Sequence, residues 1–155
     1  NVGVVATAAT VASGAYPTAI RALAPQAPVT QVACPAFVPL VEAGRLGTPD
    51  AYAAVCDYLA ELPLRSLDAL VLGCTHYPFL APVIRMRTEE WTHLVDPAVE
   101  TAKSVVAWLD AAGLRSPGPA RHRWCATGST ASLRRANALS FGGRLAAPEA
   151  IGPLS

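Results

Sequence analysis

A thiol and an imidazole lie two residues apart in the segment Gly73-Cys74-Thr75-His76. The segment directly follows an apolar run, 67–72, that is typical of a buried strand. A helix N-terminus and a nearby imidazolium both stabilise a thiolate, so a cysteine in this place gains nucleophilic and basic character. The pattern indicates proton-transfer or nucleophilic chemistry at Cys74. The alternative is a structural cysteine beside a hydrogen-bonded histidine on a turn.

The elements that must position this pair alternate between short apolar strands and stretches of helical periodicity. Such alternation favours an α/β fold built on a parallel sheet. Ligands of these sheets bind beyond the carboxyl ends of the strands, here the segments 7–13, 33–42 and 73–78, the first of which we interpret as a loop. The predicted strands are 2–6, 29–33, 67–72 and 93–95, with a further candidate over 121–126. The predicted helices are 15–23, 37–42, 50–62, 79–87, 99–112 and 132–139.

Composition narrows the function further. The 155 residues are 52% hydrophobic and 15% charged, which predicts a folded chain with a core. A net charge of +1 gives no footprint for nucleic acid or a membrane surface, and no apolar run is long enough to span a bilayer. The four cysteines lack metal-ligand spacing, so we expect no metal site and reduced thiols in the cytoplasm. Apart from Cys74, they are interpreted as small buried hydrophobic residues: Cys34, Cys56 and Cys125.

Several segments resemble, in order along the chain, motifs of the glutamate racemases within the aspartate/glutamate racemase superfamily. Residues 71–80 resemble the segment that carries the second catalytic cysteine of that family. Residues 33–42 and 4–16 are similar to two further motifs, 94–102 is a looser match, and 123–128 resemble the closing strand and turn of the family. The resemblance implies the parallel-sheet lobe of this fold, together with carboxyl-terminal elements of the other lobe.

The resemblance also implies roles for individual residues. Cys74 is the implied acid/base, His76 tunes or relays its proton, and Glu42 orients His76. The implied substrate-binding residues are Thr7, Thr10 and Thr75. No cofactor is implied, pyridoxal phosphate included. The alternatives are a plain solvated carboxylate for Glu42 and capping hydroxyls for Thr7 and Thr10.

The family's first lobe, of about a hundred residues, has no counterpart in this sequence, and neither does its Cys-Asn-Thr motif with the other catalytic thiol. We therefore expect a carboxyl-terminal portion of a longer enzyme. The expected divisions are an α/β lobe over 1–96, elements returning to the missing lobe over 97–142, and a loose tail over 143–155. The helix over 99–112 is expected to expose an apolar face.

Three functions follow from the sequence. The first is a glutamate racemase fragment that converts glutamate between its L and D forms for peptidoglycan synthesis, with dimerisation as a further expectation. The second is a relative that acts on aspartate or hydantoins. The third is a truncated, non-catalytic binding module. A Cys-Asn-Thr segment upstream of Asn1 would separate the enzymes from the module, and one thiol alone predicts an inactive fragment.

Overall fold

The computed structural model describes residues 1–119 and 121–152. The chain divides into two compact units, Asn1–Trp108 and Leu109–Ser155. The boundary between them falls inside a helix that begins at Pro97. The divisions expected from the resemblance, at 96/97 and 142/143, stay a prediction.

The first unit is built around a four-stranded, fully parallel sheet. Its strands are β1 (Val2–Ala6), β2 (Val29–Ala33), β3 (Ala69–Gly73) and β4 (His93–Val95). They lie in the order β2-β1-β3-β4, so β1 and β3 are central. The predicted α/β class and parallel sheet are confirmed, and only β3 is displaced from its predicted position, 67–72. Ala6 pairs with Ala33 on one side and with Gly73 on the other.

Apolar side chains cover both faces of this sheet, as a parallel sheet requires. Successive residues of a strand point to opposite faces. Val5 and Leu72 therefore lie in the larger of two hydrophobic cores, whereas Val4 and Val71 lie in the smaller one. The continuous apolar character of β1 and β3 follows from this two-sided burial.

Helices connect the strands and flank the sheet. Those that begin in the first unit are α1 (Ala8–Ser13), α2 (Ala15–Leu23), α3 (Phe37–Glu42), α4 (Pro49–Leu59), α5 (Ala81–Arg85) and α6 (Pro97–Ala111). Thr48 caps α4 by accepting the Ala51 N–H, and Pro49 occupies its first turn, where no N–H is needed. The helix predicted over 79–87 forms instead as a 3₁₀ turn, Tyr77–Leu80, followed by α5.

The interpretation of residues 7–13 as a loop is wrong, because α1 occupies most of them. Thr7 caps the helix, and its hydroxyl accepts the N–H of Thr10. Gly14 ends it in the left-handed region, at φ 64°, where a glycine adopts the conformation without strain. The short alanine-rich stretch is thus held by a cap at each end.

The second unit contains α7 (Ala131–Phe141) and a small parallel pair, β5 (Cys125–Ala126) with β6 (Glu149–Ala150). The strand predicted over 121–126 is therefore much shorter than expected. β6 lies inside the segment 143–155 that is expected to be loose, of which 153–155 fall outside the described residues. Buried Asn137 stabilises this end by bonding the backbone N–H and C=O of Leu145, at 3.2 and 3.1 Å.

The helix α6 carries an exposed apolar surface, as the sequence predicts. Its exposed large apolar residues are Val99, Val105, Val106 and Trp108. Their exposed fractions lie between 42% and 62%. Among the described residues, no helix combines the length and the apolar character needed to cross a membrane.

Candidate active site

Three chemistry-bearing residues leave the sheet at the same edge. Thr7, Cys34 and Cys74 directly follow β1, β2 and β3, whose last residues are paired in register. In an open parallel sheet, this carboxyl edge is where ligands bind. The register therefore gathers the candidate residues of distant segments at one place.

Cys74, His76 and Glu42 form a chain of contacts at this edge. Cys74 Sγ lies 3.8 Å from His76 Nδ1, and His76 Nε2 lies 3.3 Å from Glu42 Oε1. The imidazole is 33% exposed and the carboxylate 46% exposed. When Nε2–H donates to Glu42, Nδ1 presents its lone pair to the thiol. The imidazole can then accept the thiol proton, which is the step that makes Cys74 a base.

An aromatic cluster of Phe37, Tyr58 and Tyr77 connects the elements that carry Glu42 and His76. Phe37 packs edge-on against both tyrosines, with ring centroids 5.3 Å from Tyr58 and 5.0 Å from Tyr77. Phe37 begins α3, which ends in Glu42, and Tyr77 directly follows His76. The cluster therefore sets the separation between the carboxylate and the imidazole.

The two threonines of the first segment bond to each other. Thr7 Oγ1 lies 2.9 Å from Thr10 Oγ1 and accepts the Thr10 N–H at 3.3 Å. Both are half-buried, and Thr7 caps α1. Capping thus accounts for part of what these hydroxyls do, and their binding of substrate stays a prediction. Thr75, the third predicted binding residue, is exposed beside Cys74.

A cavity of about 420 Å³ opens beside Cys74. Thr75 lines it, together with Tyr16 and Asp96. Neither Tyr16 nor Asp96 stands out from the sequence as a site residue, although both lie in segments that resemble family motifs. Burial raises the pKa of the Tyr16 phenol, and the neighbouring Cys74 raises this pKa further. The space next to the thiol is thus shaped by residues from three separate segments.

Cys34, the other cysteine at this edge, is unsuited to proton transfer. It is fully buried, as predicted, and its thiol donates to the Val32 carbonyl at 3.7 Å. Burial, with a contribution from Glu61, raises the pKa of this thiol to about 12. At pH 8, on the order of one molecule in ten thousand would then carry the thiolate. Cys125, by contrast, is exposed, contrary to the prediction, because its two-residue strand lies at the surface of the second unit.

Alkaline conditions are expected to destabilise the chain through Cys34 and Tyr77. Burial raises the pKa of both groups, that of Cys34 from 9.0 to about 12. As pH rises above about 9 for Cys34 and about 10 for Tyr77, the unfolded chain releases these protons first, and the free energy of unfolding falls by up to about 1.4 kcal/mol per pH unit for each group. Urea unfolding under reducing conditions, at several pH values up to about 11, measures the slope. Cys34→Ala should reduce the slope, and a pH-independent stability in wild type would contradict this account.

Two kinds of group are relevant to cofactor or metal binding: the lysine that an amine-reactive cofactor would need, and clusters of metal ligands. The single lysine of the sequence, Lys103, lies on exposed α6, where its Nζ donates to Glu100 Oε1 at 2.7 Å. Within residues 1–119 and 121–152, no group of three or more His, Cys, Asp or Glu side chains is arranged to hold a metal ion.

Curated proteins are similar to this chain in sequence. No family model matches the chain. It is 49% identical over 119 residues to the glutamate racemase of Synechococcus sp. (strain CC9605), covering 77% of this chain and 43% of that protein. It is 42% identical over 152 residues to the glutamate racemase of Acidothermus cellulolyticus, covering 96% of this chain and 56% of that one. The chain thus spans about half the length of the curated relatives it matches.

Solved structures share the fold. The glutamate racemase of Thermus thermophilus in complex with beta-chloro-D-alanine is 38% identical with a TM-score of 0.83, covering 98% of this chain and 56% of that one. The glutamate racemase of Francisella tularensis in complex with D-glutamate is 26% identical with a TM-score of 0.84, covering 99% of this chain and 57% of that one. In sequence and in fold, the chain is therefore a homologue of the glutamate racemases over about half of their length.

Proposed function

We propose that this chain contributes the Cys74 side of the active site of a cofactor-independent glutamate racemase. Such an isomerase interconverts L- and D-glutamate by proton transfer. The observation that carries the proposal is the Cys74–His76–Glu42 chain of contacts at the carboxyl edge of the sheet. Homology supports it, since the relatives are glutamate racemases and one was solved with D-glutamate.

Stereochemistry explains why a thiol on one side is only half of the machinery. The α-proton must leave one face of the α-carbon, and a proton must arrive on the opposite face. A lone base would have to cross the carbon between these events, so two groups on opposite faces are the simpler arrangement. The Cys74 thiolate removes the proton from one enantiomer, and its thiol protonates the carbanion formed from the other. A second thiol, in the family's Cys-Asn-Thr motif, serves the opposite face.

His76 and Glu42 prepare Cys74 for both directions. His76 accepts the thiol proton through Nδ1 and returns it when Cys74 must act as an acid. The carboxylate of Glu42 accepts Nε2–H, which fixes the ring orientation and stabilises the imidazolium formed during the transfer. The two groups thus set the protonation state of the sulfur without touching the α-carbon.

The α-proton of an amino acid is very weakly acidic, so the substrate must be held in place and its charges met by donors. Thr75 lines the same cavity as Cys74 and is the proposed donor to the substrate, from its hydroxyl or backbone N–H. Thr7 and Thr10 follow the neighbouring strand and are the proposed partners of the substrate's ammonium or carboxylate groups. These hydroxyls would exchange part of their mutual hydrogen bond for the ligand.

The cellular role that we propose is the supply of D-glutamate to peptidoglycan, and through it to cell-wall biogenesis and cell shape. A catalytic thiol must stay reduced, which favours work in the cytoplasm. The glutamate-binding cleft is completed by the family's first lobe, and a homodimer is the proposed assembly. Both partners are carried over from the resemblance.

Racemisation of glutamate by the protein at its native length tests the proposal. Each enantiomer is incubated separately, and the change of circular dichroism is followed until the signal vanishes. L-Aspartate and D-aspartate serve as matched substrates. Faster turnover of aspartate would make aspartate the substrate in place of glutamate. No turnover of either amino acid would contradict the racemase activity and favour a non-catalytic module.

The 155 residues assayed by themselves are expected to show no measurable racemisation of either enantiomer. Cys74 addresses one face of the α-carbon, and buried Cys34 holds its proton too tightly to address the other. The same circular dichroism assay, run at high protein concentration, measures the rate. Robust racemisation by these residues alone would show that the two-thiol assignment is wrong.

Glu42→Gln is expected to lower kcat for glutamate at native length by about tenfold or more, with a smaller change in KM. Glutamine has nearly the same shape, but it cannot stabilise an imidazolium with a negative charge. Initial rates over a range of substrate concentrations separate the two constants. Glu90→Gln, at an exposed position of the same unit, is the matched control and should retain wild-type kinetics. Equal kcat in Glu42→Gln and wild type would remove Glu42 from the mechanism.

A further inference from the structure

Tyr16 stands between two cavities of the first unit. One is the cavity of about 420 Å³ beside Cys74. The other, of about 640 Å³, runs along the apolar side of α6 past Val105 and Trp108. Tyr16, Pro97 and Thr101 line both cavities. Of these three, Tyr16 has by far the largest side chain, so its ring is the candidate for a wall between the two cavities.

The ring of Tyr16 is seated directly on the residue that precedes the thiol. A β-carbon added at Gly73 would lie 2.9 Å from Tyr16 Cε2 and 3.0 Å from the backbone oxygen of Val5. Real β-carbons essentially never make a contact as short as the first, and the second is tighter than most that they make, so glycine at position 73 allows the ring to approach the end of β3. The position of the ring and the position of Cys74 are therefore coupled through one backbone residue.

We propose that Tyr16 is a positioning and size-selecting residue for Cys74, because its ring closes the thiol's cavity on the side of α6. The wall keeps ligands of Cys74 short, since a longer ligand would have to enter the space along α6. Its importance for catalysis rests on the proposed function, whereas its effect on access to the thiol does not. The raised pKa of the Tyr16 phenol, to which Cys74 contributes, agrees with this close approach.

Two alkylating reagents with the same reactive group and different sizes test the wall. Residues 1–155 are treated separately with iodoacetamide and with N-benzyl iodoacetamide, and modification of each cysteine is followed by peptide mass spectrometry. In Tyr16→Ala, the rate ratio of large to small reagent at Cys74 is expected to rise by about tenfold or more. Tyr16→Phe keeps the ring and should retain the wild-type ratio. Exposed Cys125, on β5 of the second unit, is the internal reference.

Tyr52→Ala is the matched control, since Tyr52 is an exposed tyrosine on α4 of the same unit. If Tyr16→Ala loses the circular dichroism of the folded chain, Tyr16→Leu takes its place and should give an intermediate ratio. An unchanged ratio in the folded variant would overturn the proposal. At native length, Tyr16→Ala should also raise KM for glutamate more than it lowers kcat. A raised alkylation ratio without any glutamate turnover in wild type would leave the wall standing and remove the proposed function alone.

Discussion

Cys74→Ser is expected to lower kcat/KM for glutamate at native length by about a thousandfold or more in both directions. Serine keeps the shape of the side chain, but its hydroxyl is far less acidic than a thiol. His76 therefore cannot remove its proton to form a base at position 74. The two enantiomers have equal free energies in water. The loss of kcat/KM must therefore be the same from L- to D-glutamate as from D- to L-glutamate. Circular dichroism with each pure enantiomer measures both values.

Cys125→Ser and Cys56→Ser are the controls for this substitution. Cys56 belongs to α4 and Cys125 to β5 of the second unit, and neither is a member of the Cys74–His76–Glu42 chain of contacts, so both variants should retain wild-type kinetics. Urea unfolding should show that Cys74→Ser is as stable as wild type, because Cys74 is only half-buried. A Cys74→Ser protein with more than about a tenth of wild-type kcat/KM would remove the thiol from the reaction.

Phe37→Ala is expected to lower the free energy of unfolding by about 3–5 kcal/mol. Phe37 is fully buried and packs against Tyr58 and Tyr77, so its removal leaves a cavity between α3, α4 and the turn after His76. Urea unfolding of residues 1–155, followed by far-ultraviolet circular dichroism, measures the change. The loss is a large fraction of the stability of a domain of this size.

Two variants set the scale for this result. Tyr77→Phe removes only the hydroxyl that donates to the Cys34 carbonyl at 2.9 Å and should lower the free energy by about 1–2 kcal/mol. Leu23→Ala, at a residue that is 90% exposed, should change it by less than about 0.5 kcal/mol. A Phe37→Ala variant as stable as Leu23→Ala would contradict the central place of the cluster.

The sheet could be predicted because its central strands are continuously apolar. The stretch over 2–6 is apolar throughout since both faces of β1 are covered, and the structure places the strand at those residues. The strand over 67–72 was displaced by two residues at its start, because Leu67 is buried without joining the ladder. Apolar composition predicts which residues are buried. It does not predict the hydrogen-bond register, which defines where a strand begins and ends.

The helix α1 shows where local composition misleads. Small and polar residues over 7–13 favour a loop when they are considered by type alone. The Thr7 cap and the left-handed Gly14 stabilise a short helix there, and its alanines have high helix propensity. Capping was an alternative role for Thr7 in the sequence, but the helix that this cap begins was not predicted.

The site was predictable to different depths. The Cys74–His76 pair stands out from its spacing, but Glu42 lies 34 residues away from His76 and entered only through the family resemblance. Neither residue spacing nor the family resemblance identified Tyr16 as a site residue. Its place beside Cys74 depends on the absence of a β-carbon at Gly73 and on the pairing of β1 with β3, which are properties of the folded chain.

Deuterium exchange at the α-carbon tests most directly whether Cys74 serves one face of glutamate. Each pure enantiomer is incubated in deuterated water with the protein at native length, and the α-proton signal is followed by nuclear magnetic resonance together with the optical activity. Wild type should exchange and racemise both enantiomers. Cys74→Ser should racemise neither, and any exchange that remains should be confined to one enantiomer, the substrate of the opposite thiol. Racemisation by Cys74→Ser, or equal exchange of both enantiomers, would contradict the account.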